Sequence, residues 1–171
     1  MGKSIVGVIV GVIVGYVAMF TLQVVTFMTV YMAVGADWSF KPASFQASTR
    51  WTLMQFLVIF VTAVIGGLVC LLLAKRRMAP LVLAGITLLL GFALAEAHFA
   101  TQPPDSGELR PANVPAFVAM SKARHPVWVI FAGPVIAAIG IVVGGKLKKS
   151  KLPDAPADKS YSADGASSEK N

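Results

Sequence analysis

Residues 51–74, WTLMQFLVIFVTAVIGGLVCLLLA, contain no charged side chain and are followed directly by Lys75, Arg76 and Arg77. A helix needs about 20 mostly apolar residues to cross about 30 Å of hydrocarbon. Basic residues gather at the cytoplasmic ends of such helices. The stretch therefore predicts a membrane-spanning helix that ends in a basic connector.

Three further apolar blocks extend from Ser4 to about Val34, from Pro80 to about Ala100 and from Val127 to Gly145. The chain of 171 residues is 56% hydrophobic and 13% charged, whereas soluble domains are about 45–50% apolar and about 25% charged. These blocks predict an all-α integral membrane protein with a four-helix transmembrane domain over residues 1–145. They leave no room for a separate soluble catalytic domain.

The flanking charges predict the orientation of the four helices. Alternation places eight basic residues near helix ends on one side: Lys3, Lys75, Arg76, Arg77, Lys146, Lys148, Lys149 and Lys151. The other side has five, in longer loops: Lys41, Arg50, Arg110, Lys122 and Arg124. The denser side is expected to be cytoplasmic, with both termini. The net charge of +7 is thus explained by topology, and no nucleic-acid partner is expected.

The two ends of the chain carry separate expectations. The first block follows Met1-Gly2-Lys3 like a signal peptide, but it is about twice as long as the apolar region of a cleaved signal, so we expect a retained anchor. The tail from Lys146 to Asn171 has almost no large apolar residues. It is expected to be disordered because it cannot bury enough surface to fold.

Small residues recur along every block, and in lipid they allow helix backbones to approach closely. The candidate helix-packing residues are Gly7, Gly11, Gly15, Gly66, Gly67, Gly133, Gly144 and Gly145. One interpretation is that these seams only close a monomeric bundle. The alternative is that one seam, above all the Gly7/Gly11/Gly15 repeat, stays available for a partner helix or for self-association.

A weak internal repeat links the second and fourth blocks, since each begins near a tryptophan, Trp51 or Trp128, has paired glycines fifteen or sixteen residues later and ends in basic residues. It suggests two helical hairpins related by an axis along the membrane normal. The motifs Gly66-Gly67, His125-Pro126, Trp128, Pro134 and Gly144-Gly145 resemble those of an uncharacterised family of small four-helix bacterial membrane proteins, over roughly residues 51–147. That resemblance implies a bundle in the bacterial inner membrane and implies no activity.

Glu96 is the candidate for an ion or proton site, with His98 nearby, because ionisable groups inside a span are costly and often functional. The alternative is a carboxylate hydrated at the outer rim or paired with a loop arginine. Glu96, His98, Asp105, Glu108 and His125 show no recognised ligand spacing, so no metal site is predicted.

Other polar and special residues have structural interpretations. Gln23 and Gln55 are expected to form interhelical hydrogen bonds, and Pro134 is expected to kink the fourth helix. Ser48 or Thr49 is expected to cap the second helix. Cys70 is interpreted as a small packing residue.

The function expected from these features is a non-enzymatic structural, assembly or regulatory membrane component without a cofactor. The alternative is a small oligomeric transporter or channel that uses Glu96. A membrane enzyme has least support, since the sequence offers no paired nucleophile and base, phosphate loop or haem motif.

Overall fold

A computed structural model of the protein describes residues 2–101 and 114–147. This part of the chain forms five helices: α1 (Gly2–Ser39), α2 (Thr49–Ala74), α3 (Ala79–Thr101), α4 (Ala116–Lys122) and α5 (Val127–Leu147). Helices α1, α2, α3 and α5 are long and apolar enough to cross a membrane. The predicted all-α fold with four membrane-spanning helices is confirmed.

Three boundaries differ from those expected. Helix α1 continues to Ser39 through a kink at Gly35, whose φ of 75° and ψ of 178° lie in a region that is essentially restricted to glycine. The short helix α4 occupies part of what the sequence indicated as a loop. Helix α5 ends at Leu147, so the first two residues assigned to the disordered tail are helical, and residues 148–171 lie outside the described part.

The four long helices form a bundle in which α2 packs between α1 and α5. Helices α1 and α2 are antiparallel, since Gly15 contacts Cys70 near one end and Phe27 contacts Trp51 near the other. Helices α2 and α5 are parallel, and α3 packs mainly against α5 in the opposite direction. The order across the bundle is therefore α1, α2, α5, α3.

The glycine repeat of α1 faces α2. A Cβ on Gly11 would lie 2.8 Å from the Cβ of Ala74, and a Cβ on Gly15 would lie 2.8 Å from the Cβ of Cys70. Gly7 has more space, with the carbonyl oxygen of Ala74 at 3.7 Å. Gly11 and Gly15 thus pack against α2 inside the bundle, and self-association or a partner helix stays a separate prediction.

Helices α2 and α5 meet through a reciprocal pair of glycines. A Cβ on Gly67 would collide with the carbonyl oxygen of Ile141, and a Cβ on Gly144 would collide with that of Val64. Gly67 thus faces the carbonyl of the residue three positions before Gly144, and Gly144 faces that of the residue three positions before Gly67. The two glycines lie 77 residues apart, as do Val64 and Ile141. The two contacts bring the backbones of these parallel helices together, and the two-hairpin repeat stays a prediction.

Small residues also let α3 approach α5. A Cβ on Gly91 would lie 2.7 Å from the ring of Pro134, which sits inside α5. At the start of α3, the Cβ of Pro80 would lie 2.7 Å from a Cβ on Gly145 of α5. Gly133 has only ordinary contact, with Ile59 Cδ1 at 3.8 Å.

We call the end of the bundle that carries Trp38, Trp51 and Trp128 the aromatic end. Ser48 caps α2 there by accepting a hydrogen bond from the Trp51 amide at 3.1 Å, which confirms the predicted cap. Trp51 is buried there among Phe27, Tyr31 and Trp38.

Backbone hydrogen bonds join the two long connections at the aromatic end. The amide of Ala47 donates to the carbonyl of Arg124 at 3.0 Å, and the amide of Arg124 donates to the carbonyl of Phe45 at 2.9 Å. The Tyr31 hydroxyl adds a bond to the carbonyl of Val114 at 3.1 Å. The segment before α2 is therefore tied to the segment before α5.

Candidate functional site

A cavity of about 350 Å³ lies among α1, α2, α3 and α5 in the half of the bundle towards the aromatic end. Its apolar walls include Met19, Ile59, Ala95, Val129 and Ala137. The cavity exists because α3 packs mainly on α5 and touches α1 and α2 much less, so the helices separate on this side. Small-molecule sites in proteins are commonly mostly apolar cavities of about 300–1,000 Å³ with a few polar groups.

Five side chains from α1, α2, α3 and the segment before α5 bring polar atoms to the cavity wall: Tyr16, Gln23, Gln55, Thr87 and His125. His125 comes just before α5, at the aromatic end. Gln55 lies six residues into α2, or about 9 Å along its axis. Thr87 lies eight residues into α3, about 12 Å from its start and therefore near the middle of the span. The polar groups thus extend from the aromatic end into the interior of the bundle.

Two of these groups are buried without a hydrogen-bond partner in the described part of the chain. They are the side-chain oxygen Oε1 of Gln55 and the hydroxyl oxygen of Thr87. The prediction that Gln55 makes an interhelical hydrogen bond is therefore wrong for its side-chain oxygen. Buried polar atoms in proteins nearly always have a partner, so each such atom needs an explanation.

Thr62 shows what a buried threonine in these helices ordinarily does. Its hydroxyl donates to the backbone carbonyl of Val58 at 2.8 Å and also lies 3.1 Å from that of Ile59. Thr87 is equally buried, with 7% of its surface exposed, but makes no such bond within α3. Its hydroxyl therefore remains available to a group inside the cavity.

The cavity has a lateral side between α1 and α3. Phe20 on α1 and Leu94 on α3 line it while remaining 57% and 64% exposed. In a bilayer, large exposed apolar side chains on the outside of a membrane-spanning bundle face acyl chains. In a bilayer the cavity would therefore border acyl chains between α1 and α3.

The predicted ion or proton site lies elsewhere. Glu96 is on α3 next to the cavity residue Ala95, but its side chain is exposed and does not line the cavity. His98 belongs to α3 as well. Asp105 and Glu108, considered above as metal ligands, lie outside the described residues.

The chemistry of the cavity is that of neutral hydrogen bonding. The described residues that line it include no carboxylate, ammonium or guanidinium group, and His125 brings the one imidazole among them. Within residues 2–101 and 114–147, no three His, Cys, Asp or Glu side chains are placed to hold a metal ion. The described lining thus offers hydrogen bonds from neutral side chains to a molecule in the cavity.

Sequence reasoning identified only part of this site. Gln23 and Gln55 were expected only to form interhelical hydrogen bonds, and His125 was noted only in a motif and among residues without ligand spacing. Tyr16 and Thr87 were not singled out. The position of Thr87 near the middle of an apolar helix could have indicated the site, because the hydrophobicity of a membrane span does not account for a hydroxyl there. Which polar residues converge depends on how the helices pack.

Comparison with known proteins gives no family, because the chain matches no protein-family model, no curated protein and no solved structure.

Proposed function

We propose that the protein is a non-enzymatic, multi-pass component of a bacterial inner membrane, with both termini in the cytoplasm and a structural, assembly or regulatory role. The observation that carries the proposal is the backbone-to-backbone packing of α2 against both of its neighbours. Gly15 and Gly66 bring α1 onto α2, and Gly67 and Gly144 bring α2 onto α5.

This packing supports a scaffold rather than a moving transporter. At Gly66 a Cβ would lie 3.0 Å from the carbonyl oxygen of Gly15, and Gly67 meets the carbonyl of Ile141. Contacts of this kind leave little freedom for α2 to slide past either helix, since any shift brings a side chain onto a backbone. Alternating access instead needs one bundle or repeat to rock against another.

The transporter alternative loses support from the position of Glu96. A carboxylate that binds an ion or proton during transport is expected to face the bundle interior or a water-filled cavity. Glu96 is exposed and is not among the residues that line the cavity. Among the described residues that line the cavity there is also no other carboxylate that would take over this role.

The orientation and location have separate support. Lys75, Arg76 and Arg77 form the connector between α2 and α3, and Lys146 closes α5 at the same end of the bundle. The opposite end carries the three tryptophans. A basic end of this kind favours the cytoplasmic side.

The test is to purify the full-length protein in a mild detergent, measure the particle mass by native mass spectrometry, and reconstitute the same sample into proteoliposomes. A second membrane protein bound at fixed stoichiometry, with no flux of protons, cations or small solutes above empty vesicles, is the expected result. A homo-oligomer that conducts, with flux abolished by Glu96→Gln, would overturn the proposal in favour of the channel. Glu108→Gln, which changes an acidic residue outside the four spans, is the matched control for Glu96→Gln.

A further inference from the structure

We infer that the cavity binds an uncharged, hydroxyl-bearing lipid, with its head group between Gln55 and Thr87 and its apolar tail leaving between α1 and α3. The inference concerns binding alone and does not depend on the proposed function. It starts from the two buried oxygens, Gln55 Oε1 and Thr87 Oγ1, that line one cavity and have no hydrogen-bond partner in the described part of the chain.

The hydrogen-bonding capacity of the two side chains defines the head group. The threonine hydroxyl can donate once and accept as well, and the glutamine amide has both an acceptor oxygen and a donor nitrogen. The two ends of an amide are interchangeable by rotation, so Gln55 can present either of them to the cavity. A hydroxyl group both donates and accepts, so it can bond to either side chain, and a head group with two hydroxyls can bond to both.

The side chains that line the described part of the cavity disfavour lipids with charged head groups. Apart from the imidazole of His125, no basic side chain is among the described residues that line the cavity, so a phosphate or a carboxylate would be buried without a lysine or arginine as counter-charge. Burying an unpaired ion is far more costly than burying a hydrogen-bonded hydroxyl. Phospholipid head groups and ionised fatty acids are accordingly disfavoured, and neutral head groups remain.

The size and the lateral side of the cavity determine how the rest of the molecule is placed. About 350 Å³ is at the low end of ligand-site volumes, enough for a head group and the first part of a tail. The remainder of the tail has to lie outside the cavity. Phe20 and Leu94 border the cavity where it meets lipid, so a tail passing between them enters the acyl region directly.

Two kinds of membrane lipid have this chemistry: acylglycerols, with alcohol hydroxyls, and quinols, with phenolic hydroxyls on a flat ring. The experiment uses the full-length protein, delipidated in a mild detergent, and measures binding by native mass spectrometry as each probe is titrated. The hydroxyl probes are 1-monooleoylglycerol and a decyl-substituted hydroquinone. The comparators are methyl oleate, which has the tail but no hydroxyl, and oleate, which is charged.

The expected result is a one-to-one adduct with at least one hydroxyl probe, and affinity at least tenfold lower for methyl oleate and for oleate. The hydroxyl probe that binds more tightly identifies the source of the lipid. Equal binding of methyl oleate and both hydroxyl probes would overturn the inference. So would the absence of any adduct, which would leave the buried oxygens to water.

Two pairs of variants test the placement. Thr87→Val keeps the shape of the side chain and removes the hydroxyl, and it is expected to weaken binding at least tenfold. Thr62→Val is the matched control, because the Thr62 hydroxyl bonds to its own helix and does not line the cavity. Equal affinity of the wild type and Thr87→Val would contradict the inference.

The second pair concerns the lateral route and does not touch the buried core. Leu94→Trp enlarges an exposed side chain at the border of the cavity, and Leu89→Trp makes the same change on α3 at a position that is 75% exposed and does not line the cavity. Leu94→Trp is expected to lower the affinity or the association rate severalfold, with Leu89→Trp unchanged. Identical binding by the two variants would show that the tail does not pass between α1 and α3.

Discussion

The α-carbon of Gly67 on α2 lies so close to the carbonyl oxygen of Ile141 on α5 that no side chain fits between them. The relationship is repeated in reverse by Gly144 and Val64. Close approach through small residues is the main way in which membrane helices gain packing energy, since lipid provides no hydrophobic drive for them to associate. The pair of contacts therefore fixes the spacing of the two central helices.

Gly67→Ala is expected to destabilise the protein by about 1–3 kcal/mol, the usual cost of forcing an extra methyl group into a well-packed site. The methyl group would meet backbone atoms of Ile141, which cannot rotate away as a side chain could. Unfolding by SDS titration in mixed micelles measures the change. Gly85→Ala is the matched control, because Gly85 also lies in a helix but has nothing within 4 Å of an added Cβ. A Gly67→Ala protein as stable as Gly85→Ala would contradict the close packing of α2 on α5.

Gly35→Ala tests backbone strain without any change in packing. No atom lies within 4 Å of an added Cβ at Gly35, yet its φ of 75° and ψ of 178° are almost closed to other residues. A cost of about 1–3 kcal/mol is expected from the backbone conformation alone. The same SDS titration measures it, again against Gly85→Ala. Equal stability of these two variants would show that α1 does not need this kink.

Leucine substitutions at Gly7 and Gly15 in the glycine repeat of α1 should differ in their effect on stability, because the two positions pack against α2 with different closeness. Gly15→Leu is expected to lower the thermal unfolding midpoint strongly, because a Cβ there already lies 2.8 Å from the Cβ of Cys70 and 2.9 Å from the carbonyl oxygen of Gly66. Gly7→Leu should be tolerated far better, since the nearest atom to its Cβ is at 3.7 Å. Both variants should keep the particle mass of the wild type. A change of mass with unchanged unfolding would instead assign the repeat to a partner helix.

Thr87→Val should make the delipidated protein more stable. Its hydroxyl is buried without a partner in the described part of the chain, and such a group costs about 1–3 kcal/mol relative to an apolar group of the same shape. Thr62→Val should be neutral or destabilising, because its hydroxyl already bonds to the carbonyl of Val58. Thermal unfolding of the two variants, side by side, gives the comparison. Destabilisation by Thr87→Val would mean that its hydroxyl has a partner after all.

The orientation can be measured with single cysteines in a Cys70→Ala background. Lys41→Cys lies in the connection between α1 and α2, and Arg76→Cys lies in the basic connector at the opposite end of the bundle. A membrane-impermeant maleimide applied to intact spheroplasts is expected to label position 41 and not position 76. After the membrane is opened, both should react. Labelling at position 76 alone in intact spheroplasts would reverse the predicted topology.

The sequence allowed the local features of the fold to be predicted. The length and apolarity of residues 51–74 predict one spanning helix, because crossing a membrane depends on a single segment and its own composition. The cap at Ser48 follows from the same kind of local rule, since a side-chain oxygen next to the first turn satisfies a free amide. The extra turns of α1 beyond Val34 could not be predicted, because they depend on how Gly35 bends and on contacts made by Tyr31 and Phe40 with distant residues.

Less of the candidate site than of the fold could be predicted from the sequence. The sequence by itself determined that four helices span the membrane and that each carries small residues, since both properties belong to single segments. Only the tertiary structure decided that Gly15 faces Cys70, that Gly67 faces Ile141, and that Gln55 and Thr87 line one cavity. The physical reason is that glycine seams on different helices are chemically alike, so their pairing is set by the fit of whole surfaces.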